Sequence, residues 1–360
     1  MQTSNLIADT GDKNFGKAIR LLLFIFFLAA KFSFAQHDHQ KMQMNSDTMK
    51  MDKDSMQMTS FVSPNLPMNR DGSGTSWQPD ASPMWMYMIM KGNTSFVVHG
   101  SLFLRYTSQD IAKKSNRGGN QFDAPNMFMF MLSQKLNDKN LFSILTMFSF
   151  DPLTVGNAGY PLLFQTGESY NGVPLVDKQH PHDLFAGLAL NYTHSFTKDI
   201  DINTYFGYPG EPALGPVVFM HRLSAMNNPD APLGHHWQDA THIAFGVGTL
   251  GFRYKTIKAE GSIFTGREPN ENRYNFDKPK FDSYSYRLTT NPNKYFSLQF
   301  SQGFIKSPED LFSDEDIIRT TASVIHTKQF KQKKFISSSL VWGMNSSDGK
   351  NLNSVLLESN

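Results

Sequence analysis

The sequence contains no cysteine, which excludes disulfide bonds and thiolate metal sites. Its one long apolar run, LLLFIFFLAA at residues 21–30, is well short of the roughly 20 residues that a membrane-spanning helix needs. Basic residues precede this run and Ser33-Phe34-Ala35 follows it, so we predict a secretory signal peptide over residues 1–35. A glycine-rich phosphate loop, a zinc-protease helix and a basic patch are also missing, so we expect no nucleic-acid partner. Any soft metal ligand in this exported chain must therefore be methionine or histidine.

Methionine is concentrated in the stretch QHDHQKMQMNSDTMKMDKDSMQM, residues 36–58, where three Met-x-Met pairs recur every seven residues. A thioether is a soft, neutral ligand that suits Cu(I) and needs no deprotonation, and the two histidines add imidazoles. We predict a disordered periplasmic tail over residues 36–68 that collects Cu(I) or Ag(I). A polar spacer with a chance methionine bias is the alternative. The predicted ligands are His37, His39, Met42, Met44, Met49, Met51, Met56 and Met58.

From residue 94 onward, segments of roughly ten residues alternate apolar with polar or small side chains, as in outer-membrane barrels. Short turns alternate with long connections along the chain. The turns begin at 137, 197, 255, 291 and 331, and the long connections are 107–126, 151–182, 209–240, 268–280 and 307–318. We therefore predict an all-β fold, a transmembrane antiparallel up-and-down β-barrel over residues 94–360 with about 12 strands, or about 14 if the sequence is truncated. Its long outer loops fold inward, its partners are outer-membrane lipids, and its tail lies in the periplasm. A soluble β-sandwich is the alternative fold.

Residues 69–93 combine a glycine, serine and proline-rich lead with a methionine-rich first strand or plug. Every second residue from Met84 to Met90 is methionine. In a strand, these thioethers would face the lumen while Trp85, Tyr87 and Ile89 face lipid. The predicted additional metal ligands are Met84, Met86, Met88 and Met90, and the alternative is that they only fill an irregular interior.

Histidines and acids are crowded into two long connections and the predicted strand starts beside them. The candidate ligands of a divalent metal are His180, His182, His221, His235, His236, Asp239 and His242. The alternative is a polar network in which these groups, Asp183 and Arg222 hydrogen-bond one another and pin the loops inside the barrel. We place His242 at the start of a strand running from residue 241.

Five long motifs are distinctive: DGSGTSWQPDASPM, PLVDKQHPHD, PGEPALGPVVFMHR, GHHWQDATHIAFG and GREPNENRY. Over most of residues 69–360 the chain resembles a group of uncharacterised bacterial outer-membrane proteins. In architecture, a methionine- and histidine-rich head ahead of a barrel, it resembles the copper resistance B outer-membrane family. This resemblance implies a role in copper tolerance, in agreement with the copper ion predicted from the methionine ligands. The periplasmic position of the tail predicts exchange with a soluble periplasmic copper carrier or an efflux pump. We expect no enzyme, and the alternatives are a general porin or small-solute channel and an outer-membrane hydrolase.

Overall fold

The structure is a computed structural model that describes residues 59–109, 117–330 and 334–360. Within them the chain is built from β-strands, with only short helical turns. Two four-residue α-helices, α1 (Asp151–Thr154) and α2 (His235–Gln238), lie in connections. The strands are β1 (Tyr87–Lys91), β2 (Thr94–Leu102), β3 (Arg105–Ser108), β4 (Asn120–Asp123), β5 (Asn126–Asn137), β6 (Asn140–Phe148), β7 (Tyr160–Tyr170), β8 (Val173–Gln179), β9 (Phe185–Thr197), β10 (Ile200–Gly207), β11 (Val247–Tyr254), β12 (Ile257–Phe264), β13 (Ser283–Asn293), β14 (Phe296–Ile305), β15 (Ile317–Gln329), β16 (Phe335–Ser347) and β17 (Lys350–Ser359).

One antiparallel sheet of 13 strands dominates the described residues, in the order β1-β2-β5-β6-β9-β10-β11-β12-β13-β14-β15-β16-β17. Each strand pairs with the strand that follows it, apart from the separate hairpins β3–β4 and β7–β8, which stand in long connections. The all-β class and a large antiparallel sheet are therefore confirmed. The strand count exceeds the predicted one because Tyr87–Lys91 pairs with β2 as an additional first strand. None of the helices among these residues is long and apolar enough to cross a membrane.

The connections divide the sheet into a short-turn end and a long-loop end. Tight turns join β1–β2, β5–β6, β9–β10, β11–β12 and β13–β14 at the short-turn end. The turn predicted at 331 joins β15 to β16, and its residues 331–333 lie outside the described chain. The five long connections fall at the opposite end, beside the tight β16–β17 turn. The predicted alternation of connection lengths is thus present in the structure.

The start of β11 corrects one prediction. Residues Ala240–His242 form a 3-10 turn, and β11 begins only at Val247. Gly246 has φ +107°, a conformation that interrupts an extended strand and that favours glycine. His242 therefore lies in an irregular segment ahead of the strand, and the prediction that it begins a strand is wrong.

The polarity of the sheet is inverted with respect to a water-soluble protein. On β13, the buried side chains are Ser283, Ser285, Arg287, Thr289 and Asn291. The alternate residues Tyr284, Tyr286 and Leu288 are 50–60% exposed. Neighbouring strands follow the same rule: Leu250 and Phe252 on β11, Phe300 on β14 and Leu340 on β16 all point outward. The inner face is rich in hydroxyl, amide and charged groups, and the outer face is aliphatic and aromatic.

The segment ahead of β1 covers this inner face near the short-turn end, and we call residues 59–82 the plug segment. Its carbonyl oxygens accept hydrogen bonds from successive strands: Val62 from Thr193 on β9 at 2.7 Å, and Trp77 from Ser297 on β14 at 3.1 Å. Farther along, Ala81 accepts from Gln329 on β15 at 2.8 Å. Of the two alternatives for the methionine-rich stretch, the first strand is the one present at Tyr87–Lys91. Residues 59–68, predicted as the end of a disordered tail, are instead ordered, because they hydrogen-bond to β6 and β9.

The long connection between β10 and β11, residues 208–246, covers the inner face as well, and we call it the inner loop. The backbone N–H of Gly215 donates to Ser301 Oγ on β14 at 2.8 Å. His221 packs edge-on against His99 of β2 with ring centroids 5.8 Å apart, while its neighbour Arg222 donates to Glu358 of β17 at 2.7 Å. Strands near the two ends of the sheet thus contact adjacent residues of one segment.

A single guanidinium joins sheet, plug segment and inner loop. Arg287 on β13 is fully buried and pairs with Glu260 of β12 at 3.0 Å. It also donates to Thr75 Oγ1 of the plug segment at 2.8 Å and to the carbonyl of Gly215 in the inner loop at 3.4 Å. Charged hydrogen bonds therefore join the three parts of the interior, alongside its buried apolar clusters.

Candidate metal site

Methionine side chains converge on the inner face beside β1, β2 and β5, around a cavity of about 200 Å³. We call this the methionine pocket. Its thioether and imidazole residues come from the plug segment, the approach to β1, β2, β5 and the inner loop. They are Met68, Met84, Met86, His99, Met127, Met129, Met131, Met220, His221 and Met226.

The stretch MFMFM on β5 provides the centre of the pocket. Because alternate strand residues share a face, Met127, Met129 and Met131 all point inward, and each is at most 8% exposed. Met129 lies opposite His99 on one side and Met147 of β6 on the other. Directly opposed side chains in a sheet have Cβ atoms about 4.5–5.5 Å apart. His99, Met129 and Met147 therefore form a continuous row of soft and borderline ligands across three strands.

The predicted alternation around β1 is largely present. Met84, Met86 and Met88 pack against the buried cluster that contains the β5 methionines. Trp85, Tyr87 and Ile89 are 50–61% exposed on the opposite side. Of the four predicted methionines, Met84 and Met86 line the pocket, whereas Met88 and Met90 do not, and Met90 is 39% exposed.

The inner loop supplies the second imidazole. His221 follows Met220 in a 3-10 turn, Phe219–His221, and stands over His99. Burial lowers the pKa of His221 to about 3, and the nearby His99 and His182 act in the same direction. The imidazole is therefore neutral at pH 7, and the neutral ring is the form that binds metal ions.

The predicted histidine cluster is hydrogen-bonded as a polar network. Asp239 accepts from Arg222 at 2.7 Å and pairs with His235 Nδ1 at 2.6 Å. Its backbone carbonyl lies 3.0 Å from His242 Nδ1, and His182 Nδ1 lies 2.9 Å from Asp151. The predicted polar network with Arg222 is thus found in the structure. Within the described ranges, no three His, Asp or Glu side chains are grouped as a metal site.

The remaining predicted residues lie toward the long-loop end. His180 Nε2 pairs with Glu168 at 2.5 Å, and Asp183 lies 3.4 Å from Arg273. His236 is buried, and neither of its ring nitrogens has a hydrogen-bond partner. The predicted tail ligands, His37 through Met58, lie outside the described residues.

Sequence reasoning missed most of the methionine pocket. It did not identify Met68, His99, Met127, Met129, Met131, Met220 and Met226 as candidates. The signal for three of them was present, because MFMFM repeats the every-second-residue spacing of Met84 to Met90.

Compared with models of protein families and with curated proteins, the chain matches none.

Proposed function

We propose that the protein is an outer-membrane β-barrel that binds Cu(I) or Ag(I) in the methionine pocket and contributes to copper tolerance. The Met/His tail acts as the metal collector on the periplasmic side. The observation that carries the proposal is the methionine pocket, where thioethers from four parts of the chain meet two imidazoles around one cavity.

The inverted polarity supports the membrane-embedded barrel. An outward band of Leu, Phe, Tyr and Ile around a hydroxyl- and charge-rich interior suits a sheet whose outer face contacts lipid. Strict next-neighbour pairing and alternating short and long connections belong to the same architecture. The inner loop contacts His99 near one end of the sheet and Glu358 at the other, which favours a curled, closed sheet.

The composition of the pocket supports soft-metal binding over simple packing. Methionine often fills irregular interiors, and that use needs no nitrogen ligand. Here His99 and His221 stand together among the thioethers, and the pocket retains about 200 Å³ of space. Neutral thioether and imidazole groups suit Cu(I) and Ag(I). Carboxylates would favour Mg²⁺ or Ca²⁺, and among the described residues that line the pocket Asp71 is the one carboxylate.

A general porin is the weaker interpretation because two segments occupy the inner face. The plug segment is bonded to strands from β6 to β15, and the inner loop is bonded to strands from β12 to β17. A wide solute channel requires a polar lumen open to water. The structure instead favours a plugged interior with a specific site.

The test is an anaerobic Cu(I) titration of the refolded protein against a chromophoric chelator, with and without residues 36–58. We expect the full chain to hold several ions and the shortened chain to retain the site in the methionine pocket. Replacing both Met129 and Met131 by Leu in the shortened chain should abolish that remaining competition. Met344→Leu, on β16 away from the pocket, is the matched control. If the shortened chain never competes with the chelator, the pocket is only packing.

A further inference from the structure

Histidines continue from the methionine pocket into the interior of the protein. The rings of His242 and His182 lie 5.6 Å apart, those of His242 and His235 lie 5.2 Å apart, and those of His235 and His236 lie 5.4 Å apart. These separations are centroid distances between neighbouring imidazoles. The four rings form an unbroken line of nitrogen ligands.

A small second cavity, about 30 Å³, lies between this line and the methionine pocket and shares lining residues with both. Met129 and His221 line both cavities, and His242 lines the small one. Met147, the last member of the sheet row, also faces it. An ion leaving the pocket would therefore meet His242 after His221.

The other end of the line opens into a larger cavity at the long-loop end. This vestibule, about 540 Å³, is lined by His236 together with Glu168, Glu268 and Arg319. Its acidic groups would attract a cation at that end of the line. The His236 ring lies 3.9 Å from Glu268, too far for a hydrogen bond.

Three ring nitrogens of the line have no partner, although its rings also take part in the polar network. His236 has no partner for either ring nitrogen and is 6% exposed, and His242 has none for Nε2 and is 7% exposed. Leaving a buried polar atom without a partner costs about 1–3 kcal/mol, so native proteins rarely do so without reason. Burial lowers the pKa of His236 to about 3 and that of His242 well below its ordinary value, so both rings are neutral.

Asp239 orients the middle of the line. His235 Nδ1 pairs with its carboxylate and His242 Nδ1 with its backbone carbonyl. With Nδ1 turned to these oxygens, each ring presents Nε2 to the line. Carboxylates and carbonyls hold metal-binding histidines in this way.

We propose that His221, His242, His235 and His236 form a transfer path along which Cu(I) or Ag(I) moves between the methionine pocket and the vestibule. The proposal rests on the proposed function, because the ions must first bind in that pocket. The ion exchanges one imidazole nitrogen for the next, with no electron transferred. His182, beside His242, is a side ligand at the middle of the path.

The experiment uses the full chain reconstituted in lipid vesicles that enclose a fluorescent silver chelator, with Ag(I) added outside as a redox-inert probe. We expect the wild-type protein to pass Ag(I), and His242→Phe to reduce the initial rate roughly tenfold or more while Ag(I) binding at the methionine pocket is retained. The matched control is His326→Phe, which changes a histidine stacked on Phe296 of β14, away from the path. This control should pass Ag(I) at the wild-type rate.

The outcomes separate the two proposals. A wild-type protein that binds Ag(I) but does not pass it overturns the transfer path and leaves the proposed function standing. A wild-type protein that binds no Ag(I) overturns both. Passage at an undiminished rate through His242→Phe also overturns the path. If that variant does not refold, His236→Phe at the vestibule tests the same step with the same expected loss.

Discussion

Arg222 anchors the inner loop, and its replacement by methionine should release that loop. The Arg222 side chain is fully buried, donating to Asp239 and Glu358 at 2.7 Å each and to the carbonyl of Val217 at 2.9 Å. Methionine keeps most of the volume but leaves the Asp239 carboxylate, 2% exposed, without its cation. Breaking a buried ion pair by removing one partner costs about 3–5 kcal/mol.

Hydrogen exchange of the inner-loop amides measures this loss directly. At about 1.4 kcal/mol per tenfold, the expected penalty speeds local opening by roughly a hundredfold to a few thousandfold. Mass spectrometry of peptides from residues 208–246, in refolded protein, should show amides such as those of Gly215 and Phe219 exchanging faster. Strand peptides from β13 should change much less.

Lys306→Met is the matched control for this prediction. Lys306 pairs with Asp316 at 2.7 Å, but the two side chains are 51% and 32% exposed. An exposed pair of this kind contributes about 0–1 kcal/mol, so its removal should leave inner-loop exchange unchanged. If Arg222→Met exchanges no faster than the control, the buried ion pair does not hold the loop and the reasoning fails.

Three further predictions concern single side chains. Met129→Leu should cost less than about 1.5 kcal/mol of stability. In the chain lacking residues 36–58, this substitution should weaken Cu(I) binding as measured by chelator competition, and Met344→Leu should leave the binding unchanged. Burial raises the pKa of Glu211 from 4.5 to about 8, so the folded state binds a proton that the unfolded chain has lost, and stability falls as pH rises between these values. Glu211→Gln should therefore stabilise the protein by about 3 kcal/mol at pH 7 and by almost nothing at pH 4 in urea unfolding, and parallel pH profiles for the two proteins would contradict this. Leu288→Arg, on the outer face, should cost about 2–4 kcal/mol in lipid vesicles if that face meets the bilayer interior, whereas an effect below about 0.5 kcal/mol would indicate a water-exposed surface.

Much of the sheet could be predicted from the sequence because period-two alternation is a local property. Strands such as β9, β13 and β15 alternate clearly, and the turns after them carry Asn, Asp and Lys. The start of β11 was mispredicted because the apolar pattern continues through residues 241–246, while the positive φ of Gly246 breaks the strand there. Local pattern does not reveal such a break.

The candidate site was harder to predict because its members are distant in sequence. Each methionine stretch could be recognised separately, but the row His99–Met129–Met147 exists only through the register of three strands. The hydrogen-bond partners in the polar network were equally hard to predict. His182 pairs with Asp151, at the start of its own long connection, and Arg222 donates to Glu358 of the last strand. A single sequence lists these groups without indicating which of them meet.

The three-way bonding of Arg287 implies that the interior is cooperative. Its donors are satisfied by Glu260 of the sheet, Thr75 of the plug segment and Gly215 of the inner loop. Withdrawal of either covering segment would leave a buried guanidinium N–H without its acceptor, and that cost would weaken the hold on the other segment. Plug segment and inner loop should therefore leave or remain as a pair, so the interior would switch between a filled and an open state rather than empty gradually.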